Sequence, residues 1–105
     1  MLILTSLALT LPPVDDPVRA QRHASSDAAV VIGIEDYAFL PDVPFAERDA
    51  FAVADTLKLS VGIDRNNVAV LTQNPSREQI VRALREAGEQ AGPQGTVWVY
   101  FAGHG

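Results

Sequence analysis

His104 is the residue of this chain whose type and setting best suit catalysis. It follows an apolar run at residues 96–102 and stands between Gly103 and Gly105. A histidine side chain titrates near neutral pH, so it can act as a general acid or base. The flanking glycines leave room for a substrate backbone, and the Gly105 N–H could donate a hydrogen bond to an oxyanion. The alternative is a loop histidine between two turn glycines.

Three carboxylates are the other candidate site residues. Glu35 and Asp36 follow the first apolar run and could bind a hard cation. Adjacent carboxylates on a turn are more often simply solvated, so we assign no metal site. Asp49 lies near the start of a predicted helix, where the helix dipole favours a negative charge. The chain has no cysteine, which excludes disulfides, thiolate metal sites and a cysteine nucleophile within these residues.

The elements that must position these residues alternate between strand and helix. Continuous apolar runs predict strands buried on both faces at residues 28–34, 67–72 and 96–102. A helix is predicted at residues 46–59, ended by Gly62 in a left-handed conformation. A second helix begins after Ser76, which forms a capping box with Gln79, and ends at Gly88 or Gly92. One face of this second helix is expected to carry Ile80, Leu84, Ala87 and Ala91.

The order strand, helix, strand, helix, strand predicts an α/β fold with a parallel sheet and right-handed crossovers. Ligands of such sheets bind beyond the carboxyl ends of the strands. We therefore expect residues 35–37, 72–74 and 103–105 to meet there. Three strands make a small sheet, and Trp98, Tyr100 and Phe101 of the last strand require helices on both faces. Residues 28–105 are thus predicted to be the N-terminal portion of a larger domain.

Composition and the N-terminal segment narrow the class of protein. Apolar residues make up 48% of the chain, charged residues 20%, and the net charge is -5, so a globular protein without a broad nucleic-acid surface is expected. No apolar run is long enough to span a bilayer. Residues 1–27 are predicted to be a signal-peptide-like run and a polar linker, although no basic residue precedes Arg19. Export to the periplasm or medium is favoured, and a cytoplasmic location stays open.

Residues 99–105, with the sequence VYFAGHG, resemble the histidine motif of the caspase-like cysteine peptidases, the caspase and metacaspase superfamily. Residues 29–34 with Tyr37 resemble the first strand and turn of that family. Residues 40–57 and 68–84 resemble its first loop and helix and its second βα unit. The resemblance spans about residues 28–105. It implies a partial three-layer α/β/α caspase-like fold with a mainly parallel sheet, with three strands and two crossover helices present and the remainder missing.

The resemblance also implies a cysteine-type endopeptidase with a His–Cys dyad that acts on polypeptides. His104 matches the histidine of the family, and Gly105 matches the glycine whose N–H helps to bind the oxyanion. The cysteine normally follows about 50 residues after the histidine, so the chain as given is expected to be inactive alone.

Substrate preference follows from the same resemblance. Residues 40–47 lack the arginine of the caspase Asp pocket, and Asp49 matches the acidic position of the metacaspase pocket. A basic P1 residue and a bacterial-type metacaspase are therefore implied. We predict no cofactor, although calcium dependence occurs among related proteins and no calcium ligands can be identified here. The oligomeric state stays open.

Two other functions stay open. An esterase of the α/β-hydrolase class has a His-Gly-Gly-Gly motif that superficially resembles residues 100–105, but the order here is Gly-His-Gly. A non-catalytic caspase-like interaction domain would keep the fold and lose the dyad. A nucleotide-binding domain is disfavoured, because Gly33 stands alone where a glycine-rich phosphate loop would be needed.

Overall fold

The computed structural model describes residues 26–104. The signal-peptide-like run, nearly all of the predicted linker and Gly105 lie outside the described residues. The five predicted elements form in the predicted order. They are β1 (Ala28–Gly33), α1 (Ala46–Thr56), β2 (Val68–Leu71), α2 (Arg77–Ala91) and β3 (Val97–Ala102).

The three strands form one parallel sheet in the order β2-β1-β3. Every residue of β1, with the sequence AAVVIG, is buried. This run of small and β-branched residues without polar alternation suits a central strand that is covered on both faces. The predicted α/β class with a parallel sheet is confirmed.

The two helices cover opposite faces of the sheet. The side chains of β1 alternate between these faces. Ala29 and Val31 face α1, whereas Val30 and Ile32 face α2. Because β2 and β3 lie on opposite sides of β1, helices on opposite faces give both crossovers the same hand, as expected for right-handed connections. The layers are therefore α1, the sheet and α2, as the sequence predicted.

A close approach of α1 to β1 depends on Gly33. A Cβ atom on Gly33 would lie 2.5 Å from the Ala46 carbonyl oxygen and 2.7 Å from the Ala50 Cβ. Both distances are far shorter than van der Waals contact, so any side chain here would push the first turn of α1 off the sheet. The start of α1 is therefore held next to the carboxyl end of β1.

The end of α1 differs from the prediction. The α-helix stops at Thr56, and residues Leu57–Val61 form one wider π-helical turn instead of continuing to residue 59. Gly62 ends this turn with a φ of 88°, as expected. The N–H groups of Gly62 and Ile63 both donate to the Leu57 carbonyl at 3.1 Å. The wider turn places Leu57 and Ile63 in the same buried cluster, which is the packing reason for the departure.

The start of α2 is as predicted, and so is its buried face for Ile80, Ala87 and Ala91 but not for Leu84. Ser76 Oγ accepts from the Gln79 N–H at 3.1 Å, and Gln79 Oε1 accepts from the Ser76 N–H at 2.7 Å, which completes the capping box. The helix ends at Gly92 rather than Gly88. Leu84 was expected on the buried face but is partly exposed, and Ala83 is buried in its place. The buried alanines recur every fourth residue, so their small side chains let α2 pack closely on β1: Ala83, Ala87 and Ala91.

Asp27 joins the starts of β1 and β3. Its Oδ2 accepts from the Trp98 indole N–H at 3.0 Å, and its Oδ1 accepts from the Thr96 N–H at 2.9 Å. These hydrogen bonds, first that from Trp98 and then that from Thr96, lower the pKa of Asp27 below its ordinary value, because they favour the charged carboxylate. The carboxylate thus aligns the two strands before their ladder begins.

The outer strand β3 leaves apolar surface exposed. In the parallel register Val97, Val99 and Phe101 pair with the β1 residues that face α2. All three remain exposed, with Val99 at 59%, because α2 packs mainly over β1. We call these three residues the β3 patch. Neither helix of the described part of the chain has the length and apolar character needed to cross a membrane.

Candidate functional site

The strand order identifies one crevice as the preferred ligand site. The chain moves from β1 to β2 on one side and then returns past β1 to β3 on the other. In open parallel sheets, ligands bind where the order reverses, beyond the carboxyl ends of the strands. Here that place lies between the loop of residues 34–45, which follows β1, and His104, which follows β3. We call residues 34–45 the β1 loop.

Two residues of the β1 loop contact His104. The imidazole Nε2 lies 2.7 Å from the Pro41 carbonyl oxygen, and the main-chain N–H donates to the Tyr37 hydroxyl at 2.7 Å. The Tyr37 and His104 rings also pack edge to face, with centroids 4.6 Å apart and planes at 72°. The imidazole is exposed, so a second reactant can reach it.

The contact with Pro41 determines which nitrogen of His104 holds the proton. A carbonyl oxygen only accepts hydrogen bonds, so Nε2 must carry the proton in the neutral ring. Nδ1 then has the free lone pair. A proton-accepting nitrogen is the chemical requirement for a general base.

Hydrogen bonds at both ends hold the β1 loop in place. The Val43 N–H donates to the Glu35 carbonyl at 2.8 Å, and the Tyr37 N–H donates to Asp42 Oδ1 at 3.3 Å. Glu35 Oε1 accepts from the Glu47 N–H at 3.3 Å, in the first turn of α1. Tyr37 and Pro41 therefore lie on a loop that is tied to itself and to α1.

Glu35 contacts the start of α1. Phe45, the residue before α1, has a φ of 69° and makes no side-chain cap. Glu35 supplies the missing acceptor from the β1 loop, which satisfies one of the four free N–H groups at the start of α1. Its neighbour Asp36 is exposed. Across residues 26–104, no group of three histidine or carboxylate side chains is arranged to hold a metal ion.

The position of the Tyr37 hydroxyl leaves room only for a glycine at position 103. Its φ is 154°, and a Cβ atom there would collide with the Tyr37 hydroxyl and lie 3.2 Å from the Phe101 ring. The sequence suggested that this glycine leaves space for a substrate. The structure shows that a side chain of the protein itself occupies that space.

Asp49 lies apart from these contacts. It is exposed on α1, and its Oδ1 is 3.8 Å from Arg48 Nε, while the Arg48 guanidinium stacks 4.7 Å above the Phe45 ring. Among the hydrogen bonds and ion pairs of the described residues, none joins Asp49 to His104. Residues 72–74 follow β2, which is separated from β3 by β1, at about 10 Å for two strand spacings. Residues 35–37 follow the central strand and adjoin both other segments, whereas residues 72–74 lie two strand spacings from His104.

The sequence placed Tyr37 in a segment expected to lie near His104, but it assigned no contact or role to Tyr37 or Pro41. Tyr37 acts here as a hydrogen-bond acceptor to a main-chain N–H, a role that the residue type alone does not reveal. Pro41 acts through its main-chain oxygen, which no side-chain pattern reveals. One sequence signal for Tyr37 was available. It is an aromatic residue with a hydroxyl group that follows β1, and β1 pairs with β3, the strand that His104 follows.

The comparison with protein families decides the identity. The family model described as Caspase domain matches residues 26–105. The chain belongs to the caspase domain family. No curated protein and no solved structure matches the chain. The family resemblance seen in the sequence is confirmed, and at the coarse level the chain carries a caspase-family peptidase sequence.

Proposed function

We propose that this caspase-family chain supplies the histidine of a His–Cys dyad in a cysteine-type endopeptidase. The observation that carries the proposal is the 2.7 Å hydrogen bond from His104 Nε2 to the Pro41 carbonyl. It leaves Nδ1 of His104 as the proton acceptor. The chain has no cysteine, so the thiol comes from a segment outside these 105 residues.

The proposed reaction needs one proton acceptor and one nucleophile. His104 Nδ1 takes the thiol proton, and the resulting thiolate attacks the carbonyl carbon of the scissile peptide bond. The C–N bond breaks as His104 returns the proton to the leaving amine, which leaves an acyl-enzyme that water hydrolyses. The Gly105 N–H is proposed to donate to the oxyanion of the tetrahedral intermediate.

The substrate proposed is a polypeptide with Arg or Lys at P1. Asp49 is an exposed carboxylate near the start of α1 and offers a negative charge to such a side chain. The absence of arginine in residues 40–47 removes the cationic partner that an Asp at P1 would need. This preference is that of a bacterial-type metacaspase, for which we propose no cofactor.

The test uses the complete peptidase, meaning the polypeptide that contains these 105 residues and the cysteine-bearing segment. His104→Ala should lower peptide turnover by roughly 10²–10⁴-fold, the usual contribution of general acid–base catalysis. His23→Ala changes the other histidine of the sequence and is the matched control, with turnover expected to stay at the wild-type level. Circular dichroism of each variant checks folding.

Two outcomes would overturn the proposal. Near-normal turnover by a well-folded His104→Ala variant would remove His104 from the mechanism. Absence of turnover in the wild-type complete polypeptide, with its cysteine intact, would instead favour a non-catalytic interaction domain.

A further inference from the structure

We propose that Tyr37 is a positioning residue that sets the orientation of His104. The proposal rests on the catalytic role proposed for His104. It adds a residue that touches neither the substrate nor the thiol in the proposed reaction. Tyr37 would act through its hydroxyl on the main chain of His104 and through its ring on the imidazole.

Tyr37 and Pro41 hold His104 at three different points. The Tyr37 hydroxyl accepts the His104 main-chain N–H, which holds the backbone from which the side chain departs. The edge-to-face ring contact limits rotation of the imidazole plane. The Pro41 carbonyl then binds the far end of the ring at Nε2. With the backbone, the plane and the tip each in contact, Nδ1 points in one direction.

All three contacts come from the β1 loop, which has its own hydrogen bonds. The Tyr37 N–H donates to Asp42 Oδ1, and Val43 closes the loop on the Glu35 carbonyl. His104 lies at the end of an outer strand and is itself exposed. The β1 loop therefore supplies the rigidity that solvent-exposed position 104 lacks.

The absence of a side chain at Gly103 lets Tyr37 approach His104. The Tyr37 hydroxyl reaches the His104 N–H only by occupying the space where residue 103 would have its Cβ. A glycine at 103 and a tyrosine hydroxyl at 37 therefore form one coupled feature. A residue that merely filled the crevice would not need the close approach between these two positions.

Tyr37→Phe in the complete peptidase tests the hydroxyl while keeping the ring. With ¹⁵N-histidine labelling, the His104 amide is assigned by its loss in His104→Ala, and its hydrogen exchange is then measured. Loss of one neutral hydrogen bond should speed this exchange by about 2- to 10-fold. Turnover should fall by roughly 10- to 100-fold in kcat with little change in KM, because a misplaced catalytic group affects the reaction more than binding.

Tyr100→Phe is the matched control. Tyr100 is the other tyrosine of the sequence and packs on the α1 side of the sheet, and no described hydrogen bond involves its hydroxyl. It should leave both the His104 amide exchange and kcat at the wild-type values. A purely structural role of Tyr37 would lower global stability and leave kcat per folded molecule unchanged.

A double-mutant cycle tests the coupling with Gly103. Gly103→Ala should reduce kcat less in the Tyr37→Phe background than in the wild type, because the collision with the hydroxyl is gone while the strain of a φ of 154° remains. Additive effects would contradict the coupling. Unchanged amide exchange and unchanged kcat in Tyr37→Phe, in an enzyme that His104→Ala inactivates, would overturn the inference and leave the proposed function standing. If His104→Ala stays active, the proposed function fails, and the amide exchange still tests the contact.

Discussion

At His104 a main-chain carbonyl, rather than a carboxylate, orients the imidazole. A neutral oxygen fixes the tautomer of the ring but stabilises the imidazolium less than a buried aspartate would. A serine nucleophile depends on such a carboxylate partner, whereas a thiol with an ordinary pKa of about 8.5 gives up its proton more easily. No carboxylate contacts the His104 ring among the described residues. The thiol proposed as the partner of His104 is compatible with an imidazole that a neutral oxygen holds.

Asp49→Asn should lower kcat/KM for peptides with Arg or Lys at P1. A hydrogen bond between charged groups is worth about 1.5–3 kcal/mol, so a loss of about 10- to 100-fold is expected. The stability of α1 should change by at most about 1 kcal/mol, from the helix dipole. Measurements with matched P1-Arg and P1-Gln peptides separate specificity from general damage.

Asp55→Asn provides the control for the Asp49 variant. Asp55 is also an exposed acid of α1, and it pairs with Lys58 at 3.6 Å. Its replacement should leave the P1 preference unchanged. Cleavage after Asp by the wild-type enzyme, or equal losses for both peptides in Asp49→Asn, would contradict a pocket role for Asp49.

Two side chains form hydrogen bonds between segments that are distant in the sequence, one at each end of the sheet. Glu35 caps α1 from twelve residues away, and Asp27 joins β1 to β3 across 69 residues. Each bond ties a segment of one element to the start of another. The Glu35 bond links the start of α1 to the β1 loop beside His104, whereas the Asp27 bonds align the opposite end of the sheet.

Glu35→Ala should lower the free energy of unfolding by about 1 kcal/mol, which is typical for the loss of a helix cap. Asp36→Ala, at the exposed neighbour, should change it by less than about 0.5 kcal/mol. Urea denaturation followed by circular dichroism measures both. Equal effects of the two substitutions would show that Glu35 is no more than a solvated loop residue.

Asp27→Asn should destabilise the fold at neutral pH and much less in acid. Because folding lowers the pKa of Asp27 below 3.8, the unfolded state binds the proton more readily. The stabilisation is therefore present above about pH 4 and is lost as the pH falls through the folded-state pKa. Urea midpoints at pH 7 and pH 3 should show the deficit of the variant shrinking in acid. Asp55→Asn is the control. An equal loss of stability in Asp27→Asn at both pH values would show that the charge of Asp27 does not stabilise the fold.

At the scale of the whole molecule, the β3 patch is the surface expected to control self-association in solution. An outer strand that bears Val97, Val99 and Phe101 presents both apolar side chains and unpaired backbone groups. Surfaces of this kind promote association between chains. The unpaired strand edge and the exposed apolar side chains therefore lie on the same side of the molecule.

The 105-residue chain alone should show no peptidase activity and should self-associate. The first expectation follows from the missing thiol, and the second from the β3 patch. Sedimentation velocity should show oligomers that Val99→Thr reduces. Phe39→Ser, at a loop side chain that is 98% exposed, is the control for apolar exposure away from β3. A monodisperse wild-type monomer would contradict the role of the patch.

The sequence by itself determined the order and class of the elements. Strand runs, the capping box at Ser76 and Gln79, and the left-handed Gly62 all depend on residues close together in the chain. The Gly-His-Gly ending and the two preceding βα units also sufficed to identify the family. These signals are local, so chain neighbours alone specify them.

Only the tertiary structure decided how His104 is held and which surfaces are buried. Tyr37 and His104 are 67 residues apart, and Pro41 contributes a main-chain oxygen that no residue pattern marks. The choice of Ala83 over Leu84 for the buried face of α2, and the π-helical turn at Leu57–Val61, follow from packing against the sheet. Such contacts depend on strand order and register, which bring distant residues together and which local periodicity does not encode.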